Sequence, residues 1–218
     1  PMYHIFCLTS TLGFMKWGSL TVLIANPRDL PGVVKELGRW RFSVLTGVNT
    51  LFNALLNTPG FAKLDFSALK VVVGGGAAVQ ESVAKRWQEV TGTHLTEAYG
   101  LTETSPGVCC TPLGDPWNGS IGLPVTSTEV SIRDEDFKKL PLWNGEGDIA
   151  QHTGEICVRG PQVMRGYWNK LEETAKVIQD GWLKTGDVGH MNARGYITLT
   201  DRKKDMILVS GFNVYPNE

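Results

Sequence analysis

Cysteine is scarce in this chain and unpatterned: four stand in 218 residues, at Cys7, Cys109, Cys110 and Cys157. None shows C-x-x-C spacing and two are adjacent, which argues against a disulfide framework or a zinc site and fits a reducing cytosol. An excess of positive charge is also lacking. Lys and Arg number 21 against 22 Asp and Glu, for a formal net charge of -1. A nucleic-acid binder presents a basic patch or stripe. The one basic cluster here, Arg202-Lys203-Lys204, is short and flanked by Asp201 and Asp205, so nucleic acid is not an expected partner. Long apolar runs are missing as well. The longest, over residues 20–25, is strand-sized, far short of the roughly 20 residues of a membrane helix. The chain shows no signal-peptide pattern, internal repeat or low-complexity segment.

Two nucleotide fingerprints are absent too. The Walker pattern G-x-x-x-x-G-K-[ST] does not occur. The glycine run at 74–76 fails the dinucleotide pattern G-x-G-x-x-G because Val79 stands at the third glycine position.

What is present is ordinary globular material. Hydrophobic residues make up 42% and charged residues 20%, enough for one sizeable core or two smaller ones. Up to about residue 115, strand and helix signals alternate. Residues 20–25 read as a β-prone run. Pro31 suits a first helical turn capped by Asp29, and Val33, Val34 and Leu37 share one face. Residues 42–45 read as a strand, and 50–56 as a helix with Asn49 as N-cap. An apolar strand over 69–73 ends at Gly74-Gly75-Gly76. Val79, Val83, Trp87 and Val90 then recur at helical spacing, with Gly92 as C-cap and a further strand over 94–98. Strand, helix, strand in that order predicts a parallel sheet with helices packed on it.

From about residue 120 the texture changes. Short β-rich runs over 129–133, 154–159, 195–200 and 206–210 are separated by Gly, Asn and Pro. They predict a small antiparallel or barrel-like unit, interrupted by one helix over 171–179 and a polar surface loop over 134–153. The fold class expected is α/β: a parallel-sheet subdomain over 1–119, then a small β-barrel-like subdomain over 120–200. Both ends read as cut, since the chain starts at Pro1 and stops at Glu218 without a closing helix.

Four clusters carry candidate chemistry. Glycines at the end of a parallel strand, as in Val73-Gly74-Gly75-Gly76-Ala77, let a ligand approach the backbone, or simply make a tight strand-to-helix turn. Thr96-Glu97-Ala98-Tyr99-Gly100-Leu101-Thr102-Glu103 follows a strand. Its hydroxyls and carboxylate suit phosphate oxygens with Mg²⁺, or an ordinary polar turn. The Asp of Lys184-Thr185-Gly186-Asp187 suits two ribose hydroxyls, or a plain β-turn. Asp201-Arg202-Lys203-Lys204-Asp205, followed by Gly211-Phe212-Asn213, is by itself a solvated charged turn.

Taken together and in this order, the four clusters resemble the adenylate-forming superfamily of acyl-CoA synthetases, luciferases and peptide-synthetase adenylation domains. The resemblance covers the whole chain. It is strongest toward bacterial long-chain fatty acid–CoA ligases, through Pro1-Met2-Tyr3-His4-Ile5-Phe6, Gly47-Val48-Asn49-Thr50-Leu51-Phe52 and Met206-Ile207-Leu208-Val209-Ser210-Gly211-Phe212. It implies an enzyme that joins a fatty acid to coenzyme A at the expense of ATP, with Mg²⁺ as cofactor, through an acyl-adenylate. It further implies that Gly75, Gly76 and Ala77 lie along the adenine and the acyl head, with Tyr99 and Gly100 beside them. Thr102 would bind phosphate and Glu103 would hold Mg²⁺. Asp187 and Arg202 would take the ribose hydroxyls. His4 would stand near the acyl pocket and the thiol tunnel, or be a buried histidine at a strand end. Lys204 would be the pivot between two arrangements of a C-terminal domain that begins in 201–218, and Gly211 and Phe212 would line the CoA tunnel.

The resemblance also implies a phosphate loop upstream and a catalytic lysine downstream, so the 218 residues alone are expected to be inactive. Residues 138–152 depart from the short glycine-rich turn of the superfamily. A ligase for a medium-chain or aromatic acid, and a non-catalytic nucleotide-binding module, are the alternatives. The implied setting is cytoplasmic, with peripheral association at the inner face of the membrane.

Overall fold

The computed structural model describes residues 2–202, 207–209 and 212–214, those from 201 onward by backbone alone. Lys204 and Gly211 lie outside the described residues, as do the side chains of Arg202 and Phe212. The chain forms two compact units. One comprises Pro1–Gly100 and Thr111–Gly119, the other Leu101–Cys110 and the residues from Ser120 on. Residues 101–110 thus belong with the second unit although the sequence texture changes only later.

In the first unit, apolar periodicity becomes helix faces on a parallel sheet. The helices are α1 (Ile5–Lys16), α2 (Leu30–Leu37), α3 (Asn49–Leu56) and α4 (Glu81–Thr91), and the strands β1 (Val44–Gly47), β2 (Val71–Gly75) and β3 (Leu95–Gly100). β2 pairs in parallel with β1, Val44 opposite Val71, and with β3, Val73 opposite Thr96. The start of α2 is fixed by the Asp29 carboxylate, which accepts from Gly32 N at 3.1 Å, and by Pro31 in the first turn; Val33, Val34 and Leu37 are buried. α4 buries Val83, Ala84 and Trp87 and ends at Gly92 in the left-handed region, φ 75°. Trp87 is fully buried, its ring 4.9 Å from Phe52 and 5.4 Å from Phe61. The Arg86 guanidinium ties α4 to the end of α3 by donating to Asn57 Oδ1 and to the Leu56 carbonyl.

Three expectations are corrected. Residues 20–25 form no strand: Leu20, Val22 and Leu23 are exposed. β-branched residues become strand only against a partner, and none pairs with this run among the described residues. Asn49 does not cap α3. Val48 is the cap, and buried Asn49 instead accepts from Gln80 N at 3.0 Å. His4 is not at a strand end but exposed at the N-cap of α1, its Nδ1 accepting from Phe6 N. α1 itself buries no residue and gives no amphipathic signal.

The second unit is β-rich and antiparallel. β4 (Gly107–Cys110) pairs with β5 (Leu123–Pro124). A curled half-barrel sheet runs β10–β9–β7–β6, from strands β6 (Glu129–Arg133), β7 (Gly154–Arg159), β9 (Trp182–Met191) and β10 (Ile197–Arg202). The short β8 (Ile178–Gln179), which follows α5 (Leu171–Val177), pairs with β9. Together these strands bury Ile132, Ile156, Val158, Leu183, Val188 and Ile197, and β7 buries four successive residues, 155–158. β11 (Ile207–Val209) and β12 (Phe212–Val214) form a separate antiparallel pair. Among the described residues no helix is long and apolar enough to cross a membrane.

The aromatic cluster yields a graded prediction. Trp87→Ala leaves a large void between α3 and α4 and should cost about 3–5 kcal/mol, whereas Trp87→Phe, which keeps most of the packing, should cost less than about half of that. Urea unfolding of the two variants measures both.

Candidate functional site

Each unit holds its own set of candidate residues. In the first, the register of β2 and β3 sets Gly74 opposite Glu97 and Gly75 opposite Ala98. A crevice outside the carboxyl ends of such parallel strands is where open α/β sheets bind ligands. The glycines are needed there for steric reasons. A Cβ on Gly74 would stand 2.7 Å from both Leu95 Cδ2 and Val79 Cγ2, and one on Gly75 would meet the Phe6 ring at 3.1 Å and the Ala98 carbonyl at 3.2 Å. Gly76 turns the chain at φ 77°. Beyond it Gly76 and Ala77 are exposed, while Tyr99 on β3 is half-buried and Gly100 exposed. The first unit therefore brings Gly75, Gly76, Ala77, Tyr99 and Gly100 to one end of the sheet. It places Phe6, rather than His4, against Gly75.

Glu97 lies beneath this turn. It is buried, and its Oε1 accepts from Val79 N at 3.2 Å. Burial pushes its carboxyl up to about 7, opposed by that single amide bond. Position 97 fell inside a recognised cluster, yet nothing in the sequence marked its depth.

In the second unit, Thr102–Thr104 forms a single 3-10 turn. Fully buried Thr104 anchors it: its Oγ1 accepts from Leu101 N at 2.9 Å and donates to the Pro106 carbonyl. Thr102 is left exposed and Glu103 half-buried at the tip. Tyr167 Oη donates to Glu103 Oε1 at 2.8 Å, and Met164 N donates to the Glu103 carbonyl at 2.8 Å. A cavity of about 290 Å³ opens here, lined by Leu101, Glu103, Tyr167, Lys184, Thr185 and Gly186 among others.

Behind the cavity, β9 is pinned in detail. Thr185 Oγ1 donates to the Ile156 carbonyl at 2.8 Å and accepts from Asp187 N, while Gly186 N donates to Glu155 Oε1 at 3.0 Å. The expected turn at 184–187 is thus an interior stretch of a ten-residue strand, with Gly186 at φ 75°. Asp187 is buried, and the ladder sets Arg202 directly opposite it.

This chemistry suits a nucleotide in parts. Bare glycine backbone beside an aromatic ring suits a planar base. A carboxylate next to a hydroxyl and a lysine suits phosphate. The buried Asp187 carboxylate suits a diol. Among the described residues no three His, Cys, Asp or Glu side chains gather to hold a metal. Glu103 nevertheless keeps Oε2 without a hydrogen bond among the described residues. One such carboxylate fits Mg²⁺ carried by nucleotide phosphates, an ion that takes one or two carboxylates and leaves its other positions to phosphate and water. Tyr167 was missed by sequence reasoning because it meets Glu103 only through the fold, 64 residues away.

The family described as "AMP-binding enzyme" matches residues 1–168. A protein named "Long-chain-fatty-acid--CoA ligase" from Yersinia pestis is 54% identical over 220 aligned residues, covering 100% of this chain and 38% of that protein. A protein of the same name from Escherichia coli O6:H1 is 53% identical with the same coverage. A crystal structure described as apo MatB from Rhodopseudomonas palustris superposes with a TM-score of 0.83 at 29% identity, over 100% of this chain and 42% of that one. The chain thus spans well under half the length of these curated relatives.

Glu97 sets a pH dependence of stability. Its folded value of about 7 lies above the ordinary 4.5. Its contribution is therefore fully present below 4.5 and lost as pH rises through about 7. The shift corresponds to about 3 kcal/mol. Glu97→Gln keeps an acceptor for Val79 N and removes the titration. Urea unfolding from pH 4.5 to 8.5 should show the wild type losing stability relative to the variant by about that amount. Parallel curves would contradict the assignment.

Proposed function

This chain belongs to the AMP-binding enzyme family, and from that premise we propose that it is the nucleotide- and acyl-holding part of a long-chain fatty acid–CoA ligase. A fatty-acid carboxylate oxygen bonds to the α-phosphorus of ATP and the bond to pyrophosphate breaks, giving an acyl-adenylate. The sulfur of coenzyme A then bonds to the acyl carbon, and AMP leaves. The carboxylate is its own nucleophile, so the first step calls for in-line positioning and for charge neutralisation at the phosphates.

The observation that carries the reading is the register that sets Gly74 and Gly75 beside Glu97 and Ala98 at the carboxyl ends of adjacent parallel strands. In this reading adenine lies on Gly75, Gly76 and Ala77 and against the Tyr99 ring, near Gly100. Asp187 and Arg202 take the ribose hydroxyls, Thr102 donates to phosphate, and Glu103 would hold Mg²⁺, which would supply positive charge to offset the phosphates. His4 sits toward the acyl pocket. Gly211 and Phe212 line the path of CoA, and Lys204 is the pivot. The proposed division is 1–119 for the base and acyl head, 120–200 for the β-rich part and 201–218 for the hinge. A cytoplasmic enzyme in peripheral contact with the inner membrane face is the setting that a fatty-acid substrate and four free cysteines favour.

Pyrophosphate exchange by the full-length protein carrying these residues tests the reading. Exchange should depend on oleate and fail with benzoate or without a divalent cation. Benzoate-dependent exchange in the absence of an oleate response would replace the fatty-acid assignment, and no exchange with any acid would remove the enzyme. AMP binding by calorimetry tests the ribose contact. Asp187→Asn should weaken it about 10- to 100-fold, since hydrogen bonds to a charged partner are worth about 1.5–3 kcal/mol each when desolvated.

A further inference from the structure

We propose that Tyr167 positions the Glu103 carboxylate for the nucleotide-borne cation, an inference that rests on the reading of Glu103 given above. Tyr167 Oη donates to Glu103 Oε1 at 2.8 Å, which leaves Oε2 as the oxygen open to a ligand. Both residues line the same cavity.

The residue is held for this task from its own side. Tyr167 N donates to Thr174 Oγ1 at 2.9 Å, and Thr174 in turn donates to the Lys170 carbonyl at the start of α5. Gly166, at φ 149°, packs so tightly on Thr174 that a Cβ there would stand 2.7 Å from Thr174 Cγ2. A second link is independent of the hydroxyl: Met164 N donates to the Glu103 carbonyl at 2.8 Å. The 164–167 segment therefore grips the Thr102–Thr104 turn by its backbone and its carboxylate at once.

The physical reason is preorganisation. A half-exposed glutamate samples several rotamers, and freezing one on ligand binding costs conformational entropy. A charge-assisted bond from a clamped phenol holds the rotamer in advance. It would also leave one carboxylate oxygen, Oε2, to hold Mg²⁺. Partners that orient a metal-binding carboxylate typically matter by about 10–100-fold in metal affinity.

The test uses the full-length protein, α,β-methylene-ATP, which cannot release pyrophosphate, and Mn²⁺ followed by electron paramagnetic resonance. Tyr167→Phe keeps the ring and the Met164 link and removes only the hydroxyl. It should raise the Mn²⁺ concentration for half-saturation by about tenfold, while AMP affinity without metal stays within about twofold of wild type. Glu103→Gln should raise it at least as far, and adding Tyr167→Phe to Glu103→Gln should change nothing more. If Glu103→Gln shifts the metal curve and Tyr167→Phe does not, the positioning role is wrong and the reading of Glu103 stands. An equal effect of Tyr167→Phe with and without Glu103 would likewise overturn the role. If Glu103→Gln leaves the metal curve in place, the reading of Glu103 falls and the inference falls with it.

Discussion

A methyl group at position 74 would stand 2.7 Å from Leu95 Cδ2, 2.7 Å from Val79 Cγ2 and 3.5 Å from the Phe52 ring, and the first unit is built around that lack of room. Leu95 belongs to the neighbouring strand β3, Val79 to the turn that leads into α4, and Phe52 to α3. All three close on the same glycine. Because β2 carries no side chain here, the aromatic layer of Phe52, Trp87 and Phe61 settles onto the sheet. The same closeness sinks Glu97, opposite Gly74 in the register, to a depth where its charge is disfavoured. Steric closure below the turn and bare backbone at Gly76 and Ala77 above it are two results of one glycine run.

The second unit solves a different problem, which is to hold polar groups on a strand that also carries core residues. β9 does this by breaking its own regularity. Gly186 adopts a positive φ inside the strand, Glu155 caps its amide, and Thr185 bridges to Ile156 and Asp187. Buried Leu183 and Val188 hold the strand on either side. The polar residues between them are thereby fixed by backbone bonds rather than left to solvent.

Much of this was legible in the sequence where a local rule decides the outcome. Asp29 and Pro31 set the start of α2, Val83 and Trp87 the buried face of α4, and β-rich runs bounded by Gly, Asn and Pro match β6 and β7 at their observed limits. What local rules do not decide was misread. Residues 20–25 have strand composition but no pairing strand among the described residues. α1 has no buried face to mark its period. Asn49 has the chemistry of a cap, but a backbone amide 31 residues away claims its side chain. The family was visible through the order of the four candidate clusters along the chain. The depth of Glu97 and the grip of Tyr167 on Glu103 were not, since both are set by tertiary contacts.

The central claim is that the glycine turn and Tyr99 form the seat of an adenine ring. The most direct measurement is a crystal structure of the full-length protein with a non-hydrolysable acyl-adenylate analogue. Adenine is predicted to lie along the backbone of Gly75, Gly76 and Ala77 with the Tyr99 ring on its face. Well-ordered adenine bound elsewhere, with the Gly74-Gly75-Gly76 turn and Tyr99 left bare, would contradict it.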